Sequence, residues 1–425
     1  MTSKPSNRWM ILGLGVLFAL TPFSIDLYLS AFPAIASDLG TTVSRVSLTI
    51  SLYFIGFAIG QILYGPFLDR YGRKPPIYIG LGVYIAANLG CYASTTFEAL
   101  LAFRLISALG GSAAAVGAMT MVRDLFKGKE VSRVFSMLML VLSVSPLLAP
   151  SIGSLVVETT GWRALFAFLI VLALVDVVIL WKLPRHYIPD PTVRIRIVPI
   201  LKVFGQILAQ RQFRTYVFAS ALSFAGLFVY VAASPGVFMN GFGVTPRNFG
   251  FVFAFMTAGI ILGGQLNRIL IRHYESDQLL SWALSLQSIV AFAFFAWSAT
   301  VGCPFVPTMV FMFLILFGCG IISPNGSALA IAPFDKNIGS ASSLFGFIEL
   351  GTGAVMSALF SMLTIDLSVG MSFVIALSTG LAWFTLRLGA PKAKRRSRES
   401  PRRIFAGRVT DSRADGKRRC GSDPR

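Results

Sequence analysis

Three ionisable side chains stand inside long apolar runs, where chemistry is the reason to tolerate them. Asp26 lies in Thr21-Pro22-Phe23-Ser24-Ile25-Asp26-Leu27-Tyr28, Arg104 in Leu101-Ala102-Phe103-Arg104-Leu105-Ile106-Ser107, and Glu349 in Phe345-Gly346-Phe347-Ile348-Glu349-Leu350-Gly351. A charge in oil is costly and marks an ion or proton pathway by default. A carboxylate there can bind or release a proton when another ligand arrives, which makes Asp26 and Glu349 proton-coupling candidates. Arg104 either reaches an interior cavity or snorkels its guanidinium outward along its aliphatic stem. Asp176 is a further acid within an apolar run. It lies close enough to Lys182 for an interfacial role to compete with a functional one.

The elements holding these residues follow from composition. The chain has 425 residues, 55% hydrophobic and only 13% charged, against about 25% charged in ordinary soluble domains. A bilayer core of roughly 30 Å needs about 20 apolar residues to cross, and unpaired backbone groups force such spans to be helical. Twelve segments qualify: 10–32, 46–68, 77–95, 98–121, 134–157, 163–182, 213–236, 248–271, 276–299, 305–328, 338–362 and 369–388. The expected fold is therefore an all-α integral membrane protein with twelve transmembrane helices. A first run long enough to span and carrying Asp26 reads as a retained helix rather than a cleaved signal.

Lysine and arginine place the ends. Arg45, Arg163 and Arg247 fall on one side, Arg104 falls within a span, and all the others fall on the second side. The positive-inside bias makes that second side cytoplasmic, with both termini there. The polar stretch around Pro184, His186, Pro189, Asp190, Pro191, Arg194 and Arg196 divides the spans six and six. The expected units are a six-helix bundle over 1–183, a cytoplasmic linker over 184–211, a second bundle over 212–389, and a basic, disordered tail over 390–425. Paired halves of this kind place a substrate site between them at mid-membrane. A faint internal echo agrees: Gly56 and Gly60 recur as Gly259 and Gly263.

Other chemistries are not signalled. Cys91, Cys303, Cys319 and Cys420 form no C-x-x-C pair, and His186 and His273 are far apart, so neither a metal site, a cofactor nor a disulfide framework is expected. The tail is basic enough to attract anionic headgroups. It lacks the aromatic interleaving or fold of a nucleic-acid binder. The partners expected are a small molecule, protons and membrane lipid, with the chain acting as a monomer and not as an enzyme.

Several motifs carry a family likeness. Gly65-Pro66-Phe67-Leu68-Asp69-Arg70-Tyr71-Gly72-Arg73-Lys74 joins two spans and resembles the signature loop of the major facilitator superfamily, with Phe67 where leucine is usual. Arg73 is placed to pair with Asp124, and the resemblance implies a conformational latch built from Gly65, Asp69, Arg70, Gly72, Arg73, Lys74 and Asp124. Arg104 with Gly110-Gly111-Ser112 resembles the fourth-span motif of drug:proton antiporters, where the arginine serves proton coupling. Pro146, Pro150 and Gly153 resemble the antiporter motif of the fifth span, with Ser145, Ala149 and Ser154 in glycine slots. The whole stretch 10–389 is similar to the superfamily. Ile25-Asp26-Leu27-Tyr28, Leu48–Tyr53, Gly60–Pro66 and Val122-Arg123-Asp124 resemble its Bcr/CflA drug-resistance branch.

The resemblance implies an exporter of amphipathic drugs, of phenicol, bicyclomycin or sulfonamide class, driven by the proton gradient across a bacterial inner membrane. Tyr28, Tyr53, Phe57, Phe224, Tyr230 and Phe255 are candidates for an adaptable, greasy cavity. Two alternatives stay open: a proton-coupled metabolite or sugar transporter of the same fold, and a membrane scaffold that recruits partners through its basic tail. Deleting 390–425 separates the scaffold from either transporter.

Overall fold

The computed structural model describes residues 7–126, 129–184, 197–334 and 338–389; the basic tail and most of the connector 184–196 lie outside them. Every element among the described residues is helical. In order they are α1 Asn7–Leu29, α2 Phe32–Asp38, α3 Val43–Tyr71, α4 Lys74–Ala93, α5 Phe97–Leu125, α6 Lys129–Thr160, α7 Arg163–Lys182, α8 Ile197–Ala209, α9 Arg211–Ser234, α10 Pro246–Leu270, α11 Ser276–Thr300, α12 Phe305–Ile331, α13 Ile338–Met362 and α14 Leu367–Gly389. A π-helical stretch, Pro235–Gly241, prolongs α9. Among the described residues 11 helices are long and apolar enough to cross a membrane, and α6 is a further helix of 32 residues.

Local chemistry sets the boundaries. Threonine caps open three long helices: Thr42, Thr96 and Thr245 accept the backbone N–H of Arg45, Ala99 and Asn248, satisfying donors a helix start leaves orphaned. Between α3 and α4, Gly72 turns the chain at φ 83°, a conformation costly for a residue with a Cβ. Pro75 and Pro76 then begin α4, where a missing N–H is harmless.

Packing relies on small residues. Gly56 and Gly60 seat α3 against α5: a Cβ on Gly56 would lie 2.6 Å from the Leu105 carbonyl, and one on Gly60 would strike Ser112. Gly259 and Gly263 seat α10 against α12 in the same manner, on the carbonyls of Phe313 and Phe317. The internal echo in the sequence is thus one packing device used twice. Helices α1 and α3–α7 pack among themselves, as do α9–α14, and α3 against α13 with α6 against α10 join the two sets.

The connector carries a helix that the sequence reading did not mark. Its second part is α8, a 13-residue helix too short to span. Val203, Phe204, Ile207 and Leu208 pack it into a cluster with Phe213, Leu344 and Phe345.

Candidate functional site

Arg104 is the largest fully buried side chain in the described protein. It does not snorkel. Its guanidinium lies between two tyrosine rings, 4.3 Å from the centroid of Tyr28 and 4.4 Å from that of Tyr53. Nη2 donates to the Ser24 carbonyl of α1 at 3.1 Å, while Nε and Nη1 have no hydrogen-bond partner among the described residues. A desolvated cation over an aromatic face gains about 2 kcal/mol or more, so the sandwich replaces part of the lost hydration. The cage is itself braced. Thr49 donates to the Tyr28 hydroxyl at 3.1 Å, and the hydroxyls of Ser24 and Tyr84 bond each other.

Asp26 is not the partner of Arg104. Ser24 and Asp26 are two positions apart, so they face opposite sides of α1. The Ser24 carbonyl turns to α5, and the buried Asp26 carboxylate turns to α6, where Ser145 donates to Oδ2 at 2.9 Å. From the other set of helices, Tyr230 of α9 lies within electrostatic reach of Asp26 and has an unpartnered hydroxyl. Ser145 precedes Pro146 in α6, and Gly153 one turn beyond Pro150 lets α6 approach α1 closely: a Cβ there would strike the Leu27 carbonyl and lie 2.6 Å from Ser30 Oγ. The structure therefore brings Asp26 and the proline-bearing helix together and leaves Arg104 in a separate nest.

Glu349 sits apart from both, half-buried on α13, and accepts from Ser323 of α12 at 3.5 Å. Ser323 precedes Pro324 within α12. Both carboxylates thus meet a serine followed by a helix proline. Ser323 was not singled out from sequence; a Ser-Pro step inside a span is the signal that marks it.

The Gly65–Lys74 motif, read as a loop in the sequence, is helical except for Gly72 and Arg73, and it holds a three-way ion pair. Arg73 Nε donates to Asp124 Oδ2 at 2.6 Å and Nη1 to Asp69 Oδ1 at 2.7 Å. Burial of Arg73 opposes its charge, and the hydrogen bonds from both carboxylates more than offset that, holding its proton tighter than usual. Lys74 Nζ donates to the Trp181 carbonyl at 3.1 Å, and Arg70 lies over the Tyr71 ring. Gly65 has open space where a side chain would stand.

At the end of the helices far from this loop, hydroxyls join α3 to α13. Ser44 donates to the Ser361 carbonyl at 3.1 Å, Ser47 and Ser361 bond at 2.6 Å, and Ser51 and Ser357 bond at 2.8 Å. One turn further, Phe54 of α3 meets Phe228 of α9 with centroids 4.6 Å apart. These staples were not visible in the sequence.

A family model described as Major Facilitator Superfamily matches residues 14–357. The chain belongs to the Major Facilitator Superfamily. It is 29% identical over 376 residues to a protein named bicyclomycin resistance protein homolog from Haemophilus influenzae, covering 88% of this chain and 94% of that one. It is 28% identical over 380 residues to a chloramphenicol resistance protein of Pseudomonas aeruginosa, covering 83% and 85%. Among solved structures, a D-xylose-proton symporter superposes with a TM-score of 0.72 at 14% identity, over 91% of this chain and 98% of that one. At that identity the likeness shows the fold alone. A multi-pass membrane protein is what the family and the apolar helices establish together.

Within this facilitator the aromatic cavity candidates separate. Tyr28 and Tyr53 cage Arg104, and Tyr230 is buried near Asp26, stacked on Phe253 at 5.4 Å. Phe57 and Phe224 are half-buried, with Phe224 edge-on to Phe228. Phe255 is 46% exposed on α10 and packs against Phe313. A groove of about 900 Å³ between α11 and α14 is lined by Phe292, Phe373, Trp383 and Arg387 and contains none of the candidates. No cluster of three metal-ligating side chains occurs among the described residues.

Proposed function

We propose that this facilitator exports amphipathic drugs across the bacterial inner membrane in exchange for protons. The drug-resistance names of its relatives support the cargo class. The observation that carries the mechanism is the position of Asp26. It is a buried carboxylate held by Ser145 of α6 and within electrostatic reach of Tyr230 of α9, which belongs to the other helix set.

In this reading α6 is the fifth span and brings the number to twelve, each six-helix set is one rocking half, and both termini are cytoplasmic. The serine staples then close the outer face, so the described conformation opens inward. Drug enters from the cytoplasmic side while a carboxylate is ionised, rocking exposes it outside, and a proton arriving there displaces it and allows return. A ligand shifts such an equilibrium only by its differential affinity for the two states. The two cargoes must therefore compete or reset the same junction, which Asp26 on α1 and Glu349 on α13 are placed to do. Arg73, tied to Asp69 and Asp124, stiffens the loop that closes the cytoplasmic face in the alternate state.

The driving force is adequate. One charge crossing about 100 mV releases about 2.3 kcal/mol, and at about 1.4 kcal/mol per tenfold this sustains a drug gradient of roughly fiftyfold. The test is chloramphenicol accumulation in cells lacking their own exporters, with and without an uncoupler. Wild type is expected to lower accumulation only when the gradient is intact. Asp26→Asn is expected to lose that uphill export while retaining downhill exchange. Undiminished uphill export by Asp26→Asn would remove Asp26 from the coupling step.

A further inference from the structure

Asp176 has no part in the mechanism above, yet it is the most isolated acid in the described protein. It is fully buried on α7, about 20 Å along the helix from Arg163, and neither Oδ1 nor Oδ2 has a hydrogen-bond partner among the described residues. Lys182, at the end of the same helix, lies over the Trp9 ring, and the elements packed on α7 offer few charged groups. On α4, Tyr84 lies within electrostatic reach of it, while the Lys74 ammonium donates to the Trp181 carbonyl nearer the helix end. On α1, Asp26 turns to Ser145 and Tyr28 to Arg104. On α6, Glu130, Arg133 and Glu158 are exposed toward the ends.

The same helix set contains the complementary anomaly. Arg104 cannot shed its charge, is fully buried, and leaves two nitrogens unpartnered. Tyr84 is common to the surroundings of both. Its hydroxyl bonds Ser24 Oγ, the Ser24 carbonyl accepts from Arg104, and Tyr84 is within electrostatic reach of both Arg104 and Asp176. Its ring is wedged where Gly110 and Gly111 let α4 approach α5. A buried cation without a counter-charge, and a buried acid without a cation, are each expensive alone and less so together.

We propose that Asp176 is a proton-exchanging site of this transporter, linked to Arg104 through the Tyr84–Ser24 hydroxyl pair. The carboxylate takes one proton from water and becomes a neutral acid, leaving the cluster with the single positive charge of Arg104. Releasing that proton to water returns the carboxylate, whose charge balances that of Arg104 and neutralises the cluster. Ser24 donates its own hydrogen to the Leu20 carbonyl at 2.8 Å, so the Tyr84 O–H is the donor within the hydroxyl pair. The role of this step in export rests on the antiporter reading; the titration of Asp176 does not.

Infrared difference spectra of the purified full chain, taken between acid and alkaline pH without ligand, test the titration directly. Wild type is expected to show a carbonyl band of a protonated carboxylic acid that Asp176→Asn abolishes and Tyr84→Phe shifts in frequency. Asp176→Glu, which keeps the acid, is expected to move the band rather than delete it, and serves if the asparagine variant does not fold. Spectra of Asp176→Asn, or of Asp176→Glu where that variant stands in, superimposable on wild type would overturn the proposal. In sealed vesicles with chloramphenicol as probe, Asp176→Asn is expected to keep downhill exchange and to lose at least tenfold in pH-driven accumulation. Unchanged pH-driven accumulation would overturn the link to coupling. Should wild type move no chloramphenicol, the export reading falls while the infrared arm still decides Asp176.

Discussion

Replacing Ser47 and Ser51 together with alanine should loosen the far end of the α3–α13 contact by a calculable amount. The two substitutions remove the Ser47–Ser361 and Ser51–Ser357 bonds, of 2.6 and 2.8 Å. The partner hydroxyls are not orphaned, because Ser357 still donates to the Ala354 carbonyl and Ser361 to the Ser357 carbonyl. The cost is therefore that of the bonds alone, without a penalty for an unsatisfied buried donor. Side-chain hydrogen bonds between membrane helices average about 0.6 kcal/mol, so two amount to about 1.2 kcal/mol. At about 1.4 kcal/mol per tenfold, the ratio of open to closed at this end rises roughly sevenfold. Spin labels at Ser37 and Asn240, both exposed, read the ratio as the weight of the longer component in their distance distribution. The reverse perturbation, Ser47→Cys with Ser361→Cys, should lock this end when oxidised and release it on reduction. A distance distribution unmoved by the double alanine variant would refute the staple as an energetic contact.

Two further outcomes follow from particular contacts. Asp38 accepts from Arg163 at 2.7 Å and from the Trp162 indole at 3.1 Å. The Arg163 hydrogen bond holds its carboxyl below the ordinary 3.8. A carboxylate with a depressed folded value contributes stability above its unfolded value and loses it as pH falls through the folded one. Melting curves in detergent should therefore show the difference between wild type and Asp38→Asn constant from neutral pH down to about 4 and vanishing below it. Gly110→Ala places a Cβ 2.6 Å from the Tyr84 backbone nitrogen and 2.7 Å from the Gly80 carbonyl. Overpacking at backbone that cannot yield costs about 1–3 kcal/mol, measurable as a lowered unfolding midpoint, whereas Gly65→Ala, with open space around it, should cost far less.

Much of the architecture was written in chain composition. Length and apolarity of each run suffice to call a membrane helix, and the Gly72 turn with its charged flank marks the joint of α3 and α4. Helix α8 was missed because its neighbours Arg194, Arg196 and Arg211 made the connector look uniformly polar, and 13 residues fall below any spanning threshold. The buried ionisable residues were visible one by one, but not their grouping. Asp26 and Ser24 share a short motif and face opposite sides of α1, so the motif could not say which of them meets Arg104. The staples were invisible for another reason. Serine in a span ordinarily bonds its own helix, as Ser107 and Ser112 do, and nothing along the chain distinguishes one that reaches across.

Ser145 and Ser323 reach across in a more consequential way. A hydroxyl owns a single hydrogen. Both spend it on a carboxylate of another helix, at the step just before a proline has already interrupted their own backbone ladder. Neutralising the acid frees that hydrogen to fall back on a carbonyl of its own helix, a bond that bends helices. In the proposed exchange the curvature of α6 and of α12 would then follow the ionisation of Asp26 and Glu349, so a proton too small to push anything could still be felt as a change of shape.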